Sequence, residues 1–424
     1  MIAAICREME IRASNNINQQ GISYIQDQPV SNRTSNIENT SDKKTTDIEK
    51  TIGKHSTNIE NTAGKKTTDI ENITGKQTND NENNTGKQTS NFVYPASVQS
   101  IETLYLGGGT PSLLEKQLLE KLFSTAYHNY NISKDAEITI EANPDDITVD
   151  NLLFWKQLGI NRLSIGIQSF RDDDLEYLNR VHSAEKALNC IQLAREHGFP
   201  DLTIDLIYGI PTLSNEQWIK NLEVFAGLSI PHLSAYALTV EPRTPLFNLI
   251  EKGEVKPVDE KQASEQFEIL MQFMHDHNYL HYEISNFCLP GHFARHNLSY
   301  WKATTYLGFG PSAHSFSGSI RQWNVSSVNE YLNAIKNDVI PAEHEELSIT
   351  NRYNEYVMTG LRTMWGCDSG VISNQFGTKY ESYFIEQSVK WINQALLERS
   401  DNQFTLTNQG KLLADGIASD LFYI

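Results

Sequence analysis

Three consecutive glycines, Gly107-Gly108-Gly109, interrupt the run LYLGGGTPSLL and lead into Thr110. Lacking side chains, they let a ligand approach the main chain and leave N–H groups free to hold it. A plain tight turn would use the same residues. Glu141 precedes Asn143-Pro144, where a carboxylate suits an amino group or a ribose, or else a helix cap or an ion pair. Gln168 opens the polar stretch Gln168-Ser169-Phe170, and Arg180 follows in LNRVH. Asp205 sits inside IDLIYGIP, and a carboxylate within an apolar run needs a partner because burying it alone is costly. Each of these residues taken singly reads as structural. Four polar residues at successive strand ends, facing one mouth, read as a site.

The elements that must position them are legible from periodicity. Apolar runs at 102–107, 136–142, 161–168, 201–209 and 232–240 have the length and composition of strands. Between the first two, Leu118, Leu119, Leu122, Phe123 and Ala126 recur at helical spacing. The stretch 183–198 opens on a capping serine and stops at a glycine. Strands separated by helices predict right-handed βαβ units, a parallel sheet and a full or partial (β/α) barrel, an α/β fold. In such architectures ligands bind at the carboxyl ends of the strands, where the polar residues above lie. From about Tyr300 the pattern changes to a Gly-rich loop, YLGFGPSAHSF. After Asn351 it is mostly helical and closes on a short β-like piece and a helix. This predicts a small, mostly helical accessory domain, winged-helix-like.

Residues 36–90 stand apart as five tandem units of 11 residues, from NIENTSDKKTT to DNENNTGKQTS. They hold no Leu, Val, Met or aromatic residue, so the expectation is a solvated, disordered insert. Their GKKT and GKQT pieces lack the upstream glycine and leading strand of a phosphate loop. The insert carries nine acids against eight lysines, so the formal charge of −18 belongs to the rest of the chain. That balance argues against nucleic acid or an anionic membrane as the main partner. Cys6, Cys190, Cys288 and Cys367 are scattered, which suits a reduced, cytoplasmic setting without disulfides. No run approaches the roughly 20 apolar residues of an integral membrane segment.

GGGTPSLL, EITIEANPDD, RLSIGIQSF, LNRVH, IDLIYGIP, PHLSAYALTVEP, HYEISNF, HNLSYW and YLGFGPSAHSF occur in this order from about Val98 onward. Together they resemble the radical S-adenosylmethionine (SAM) proteins related to oxygen-independent coproporphyrinogen III oxidase, and more narrowly the HemW-type heme chaperones among them. The resemblance implies that Gly108, Gly109 and Thr110 cradle the methionine amino group of SAM. It implies that Glu141, Gln168, Arg180 and Asp205 contact SAM's polar groups. HNLSYW resembles the family's heme-associated motif. His296 would supply an axial ligand, and Asn297, Tyr300 and Trp301 complete the motif, its aromatics packing on the porphyrin face. Without the resemblance, a hydrogen-bonded structural histidine is the preferred reading of His296.

The family also implies a 4Fe-4S cluster held by a C-x-x-x-C-x-x-C loop after a first strand, and no such spacing occurs here. Cys6 lies in AAICREMEIR, which resembles the helix that follows that loop. The expectation is a chain whose Met1 falls downstream of the family's first strand and cluster loop, with an unpaired sheet edge. The expected organisation is a remnant helix and linker (1–35), the repeats (36–91), a partial barrel (92–300) and the accessory domain (301–424). The expected function is a heme chaperone passing heme to an unknown acceptor protein. The alternatives are a radical SAM oxidase of porphyrin biosynthesis or a truncated, inactive relative, and with no cluster ligands radical catalysis by the chain as written is not expected.

Overall fold

A computed structural model describes residues 1–18 and 100–424. The repeats at 36–90 lie outside the described residues. Four parallel strand pairings build most of the main sheet. The helix α1 (Ile2–Asn18) is followed by β1 (Ile101–Leu106), α2 (Lys116–Asn129), β2 (Ile132–Ala142), α3 (Val149–Gln157) and β3 (Arg162–Gln168). Next come α4 (Asp172–Tyr177), α5 (Ala184–Glu196), β4 (Leu202–Tyr208), α6 (Asn215–Gly227) and β5 (His232–Ala237). Then α7 (Pro245–Glu251) and α8 (Glu260–Asp276) lead to the short antiparallel strands β6 (Leu280–Glu283) and β7 (Asn286–Cys288) and to α9 (Arg295–Trp301). The strand order is β1-β2-β3-β4-β5-β7-β6, a curled half barrel. All five expected strands form, each within a few residues of its expected bounds. Ser183 caps α5 by accepting from the Lys186 N–H (3.2 Å), and Gly198 closes that helix at φ +84°.

A parallel sheet covered by helices on both faces reads as continuous apolar runs. These strands alternate instead. Ile138, Ile140, Leu163, Ile165, Ile167, Ile204, Leu206, Leu233 and Ala235 are buried in the main core beneath the helices. The residues between them, Glu137, Thr139, Glu141, Arg162, Ser164, Thr203, Asp205, His232 and Ser234, are polar. Period two sends them to the opposite, concave face. The curl of the sheet thus has an aliphatic outside and a polar inside.

The remainder differs in part from the sequence expectation. Residues 314–346 form an antiparallel sheet of β8 (His314–Phe316), β9 (Ile320–Asn324) and β10 (Ala342–Glu346), with α10 (Val328–Lys336) between the last two. Their strands are short and polar, and the turn at Gly318 (φ +89°) sits inside what reads as loop composition. Beyond it, α11 (Ile349–Leu361), β11 (Cys367–Asp368), α12 (Ser369–Phe376) and α13 (Thr378–Asn393) precede the hairpin of β12 (Leu397–Ser400) and β13 (Gln403–Leu406). The short helices α14 (Asn408–Lys411) and α15 (Ala414–Asp420) end the chain. Tyr353, Val357, Phe384, Phe404 and Ile417 are fully buried in a second core there.

The helix α1 is locked in by charge. Glu8 is fully buried and accepts from Arg12 (2.9 Å), the Gly310 N–H (2.9 Å), Asn324 (2.9 Å) and Tyr331 (2.6 Å). Arg12, also buried, donates to Asn324 at 3.1 Å. On the other side, Tyr130 donates to the Met9 carbonyl at 3.0 Å. Among the described residues, β1 pairs only with β2.

Candidate functional site

The glycine turn lies at the carboxyl end of β1. Gly108 has φ +87°, a conformation side chains resist, and its N–H donates to Glu141 Oε2 at 3.2 Å. A Cβ built on Gly108 or Gly109 meets nothing within 4 Å, whereas one on Gly107 would strike Glu141 and Tyr105. The fold therefore demands glycine at 107 and 108, and at 109 it leaves open space. Thr110 begins the one-turn 3-10 helix Pro111–Leu113. Ser112 donates to Asp146 (2.6 Å), tying this turn to the loop after β2.

Glu141 is the hub. Its other oxygen accepts from the Tyr105 hydroxyl at 2.8 Å, and burial followed by that carboxylate raises the Tyr105 pKa, so the phenol stays a donor. Two strands away, Asp205 is pushed up to about 7, first by lost hydration and next by the Glu141 charge. Ser234, Ser164 and the Arg180 guanidinium pull it back only partly. Arg180 itself is exposed. Its loop is anchored by His182, whose Nε2 lies 3.0 Å from the Ile167 carbonyl oxygen. Gln168 is buried at the end of β3 with φ +69°, an uncommon value for a residue with a side chain, and it breaks the β3–β4 register.

The HNLSYW residues form α9, packed against the edge strand β1. The buried Glu137 carboxylate accepts the N–H groups of Arg295 (3.0 Å) and His296 (2.9 Å). His296 Nδ1 lies 2.9 Å from Thr103 Oγ1, and its ring stacks on Tyr105 with centroids 4.9 Å apart. Desolvation pushes the imidazole down to about 4, so it is neutral at pH 7. Its Nε2 is 3.0 Å from the Tyr300 hydroxyl. Asn297 is half-buried on the same helix. Trp301 ends the helix, with the Arg362 guanidinium 5.5 Å from its ring centroid.

The structure thus joins Gly108 to Glu141, sets Asp205 within reach of the Glu141 and Arg180 charges, and links Glu141 to His296 through Tyr105. Sequence reading missed Tyr105, Thr103 and Glu137, which hold the two groups of residues. It also missed Asp174, fully buried, which accepts from Ser169 and Thr212 (both 2.8 Å) and braces the loops after β3 and β4. The period-two alternation within each strand was the signal that could have found the concave-face residues.

A family model for the radical SAM superfamily matches residues 94–225. The heme chaperone HemW of Bacillus subtilis is 33% identical over 329 residues, covering 77% of this chain and 87% of that protein. The chain belongs to the HemW family. HemW of Lactococcus lactis is 31% identical, with 76% and 84% covered. Among solved structures, the coproporphyrinogen III oxidase HemN from Escherichia coli, a radical SAM enzyme, aligns with a TM-score of 0.67. It is 23% identical and the match covers 77% of this chain and 79% of that one, a likeness that speaks for the fold.

The superfamily implies SAM and a 4Fe-4S cluster. The open glycine turn, the Glu141–Asp205 pair and the nearby guanidinium fit the amino, carboxylate and ribose groups of SAM. The described cysteines do not fit a cluster. All four are buried, on α1, α5, β7 and β11, and burial holds the Cys190 and Cys288 thiols up near about 12. Iron needs convergent thiolates. Among the described residues no group of three or more His, Cys, Asp or Glu could hold a metal ion, and no helix is long and apolar enough to cross a membrane.

Proposed function

We propose that this HemW-family chain is a heme chaperone: it takes up heme at the α9 motif and passes it to an acceptor protein in the cytoplasm. The observation that carries this reading is His296, a neutral imidazole held at the half-buried start of α9 in a chain aligned along most of its length with heme chaperones. A neutral imidazole is what iron requires. Tyr300, Trp301 and Asn297 accompany it in the motif. Gly108, Gly109, Thr110, Glu141, Gln168, Arg180 and Asp205 bind SAM in this reading, with residues 92–300 as the barrel and 301–424 as the accessory region.

Two variants test it. Heme titration should give a saturable Soret change, and His296→Ala should weaken it at least tenfold. An unsaturable change, or one indifferent to His296, would sink the heme reading. Gly109→Ala should leave the melting temperature within about 2 °C, since its Cβ meets nothing, yet remove SAM binding in calorimetry. Undiminished SAM binding by that variant would refute the glycine-turn assignment.

A further inference from the structure

Each ring nitrogen of His296 has a partner, and the two partners are of different kinds. Nδ1 faces Thr103 Oγ1 at 2.9 Å, a group on β1 within the sheet. Nε2 faces the hydroxyl of Tyr300 at 3.0 Å, a side chain 42% exposed on the surface of α9. The ring itself has little freedom. Glu137 clamps the first N–H groups of the helix, including that of His296 (2.9 Å), and Tyr105 stacks on the imidazole at 19° between planes. Tyr105 is in turn held by Glu141. One nitrogen therefore has a fixed partner and the other a removable one.

We propose that Thr103 is the positioning residue for metal ligation by His296, and that the Tyr300 hydroxyl is a displaceable cap on the ligating atom, Nε2. The proposal rests on the heme reading above. With Nδ1–H donating to Thr103 Oγ1, the imidazole lone pair lies on Nε2, where the Tyr300 O–H donates to it. Ligation exchanges that O–H···N bond for an N–Fe bond. The Tyr300 side chain swings outward and its hydroxyl bonds to water. No electron or proton leaves the ring. The hydrogen bond from Nδ1–H fixes the tautomer and raises the basicity of Nε2, as partners of metal-ligating histidines generally do. The cap keeps the lone pair satisfied while no iron is bound, and displacing it costs that hydrogen bond together with the edge contacts of the Tyr300 ring with His296 (centroids 5.1 Å apart) and Tyr306 (4.7 Å).

The experiment is titration of the full chain with ferric heme, read by Soret absorbance, by the spin state of the iron and by stopped-flow association. Thr103→Val should weaken binding by about 10- to 100-fold and alter the spin-state signature. Thr103→Ser, which restores the acceptor, should recover both. Tyr300→Phe keeps the ring and removes the cap, so it should bind severalfold tighter with faster association. A Val variant indistinguishable from wild type, a Ser variant that recovers nothing, or a Phe variant that binds no faster would each overturn the proposal. His296→Ala separates the two levels. If it binds heme like wild type, the heme reading falls and this proposal with it. If it loses heme while the Thr103 and Tyr300 variants behave like wild type, the heme reading stands and the proposal falls.

Discussion

An aspartate that faces a glutamate across a curled sheet holds its proton longer than an isolated one. Asp205 is pushed up to about 7 because it is shielded from water and because Glu141 repels its charge. Its folded pKa is above its unfolded value, so the protonated form is the one the fold favours. That contribution is complete below about pH 4 and is lost as pH rises toward 7. Wild-type stability should fall by on the order of 4 kcal/mol between pH 4 and pH 8 from this residue alone. Urea denaturation of Asp205→Asn at the two pH values should show a flatter dependence. An equal pH dependence in both proteins would rule the assignment out. A ligand bringing positive charge near Glu141 and Asp205, as the amino group of SAM would in the proposed reading, should also expel a proton near neutrality. Calorimetry in buffers of different ionisation heat reads that directly.

At the scale of elements, α1 shows how a helix is chosen by its partners. Glu8 and Arg12 are four residues apart, which in a sequence looks like an ordinary exposed i, i+4 pair. Both are buried, and besides Arg12 the groups that satisfy Glu8 come from residues about 300 positions away. Removing one partner of a buried pair leaves the other charge uncompensated, at about 3–5 kcal/mol. Glu8→Ala should be destabilised by that amount in denaturant titration, while Glu10→Ala, beside a half-exposed Arg7, should change by less than about 1 kcal/mol. Comparable losses in the two would show that the network contributes little. The same contrast explains what was readable beforehand. Five strands and the helices between them were legible because local periodicity defines them. The β8–β9–β10 sheet was not, since its short polar strands owe their conformation to pairing rather than to pattern. Among site residues, Glu141 stood out as an acid at a strand's end beside a turn, and Asp205 as an acid inside an apolar run. Glu137, Thr103 and Tyr105 did not, because only the folding of α9 onto β1 gives them something to hold.

Over the whole molecule, the division of the sheet into an aliphatic outer face and a polar inner one sets what ligands can do for stability. Outer-face residues such as Ile140, Leu163 and Ile204 are fully buried and supply the core. The inner face contributes little apolar burial, so groups bound there add to native stability in proportion to their affinity. SAM at 100 times its dissociation constant should stabilise the chain by about 2.7 kcal/mol, a rise of a few degrees in melting temperature. The Gly109→Ala protein should show no such rise, and an equal shift in both would place the ligand elsewhere. The two-faced sheet also sets the terms for engineering. A redesign that selected only for thermal tolerance would replace Glu141 and Asp205 with well-packed apolar residues, because closely placed acids hold the fold back. Hardier variants would come from the concave side first, and each would have traded away part of the molecule's capacity to recognise anything.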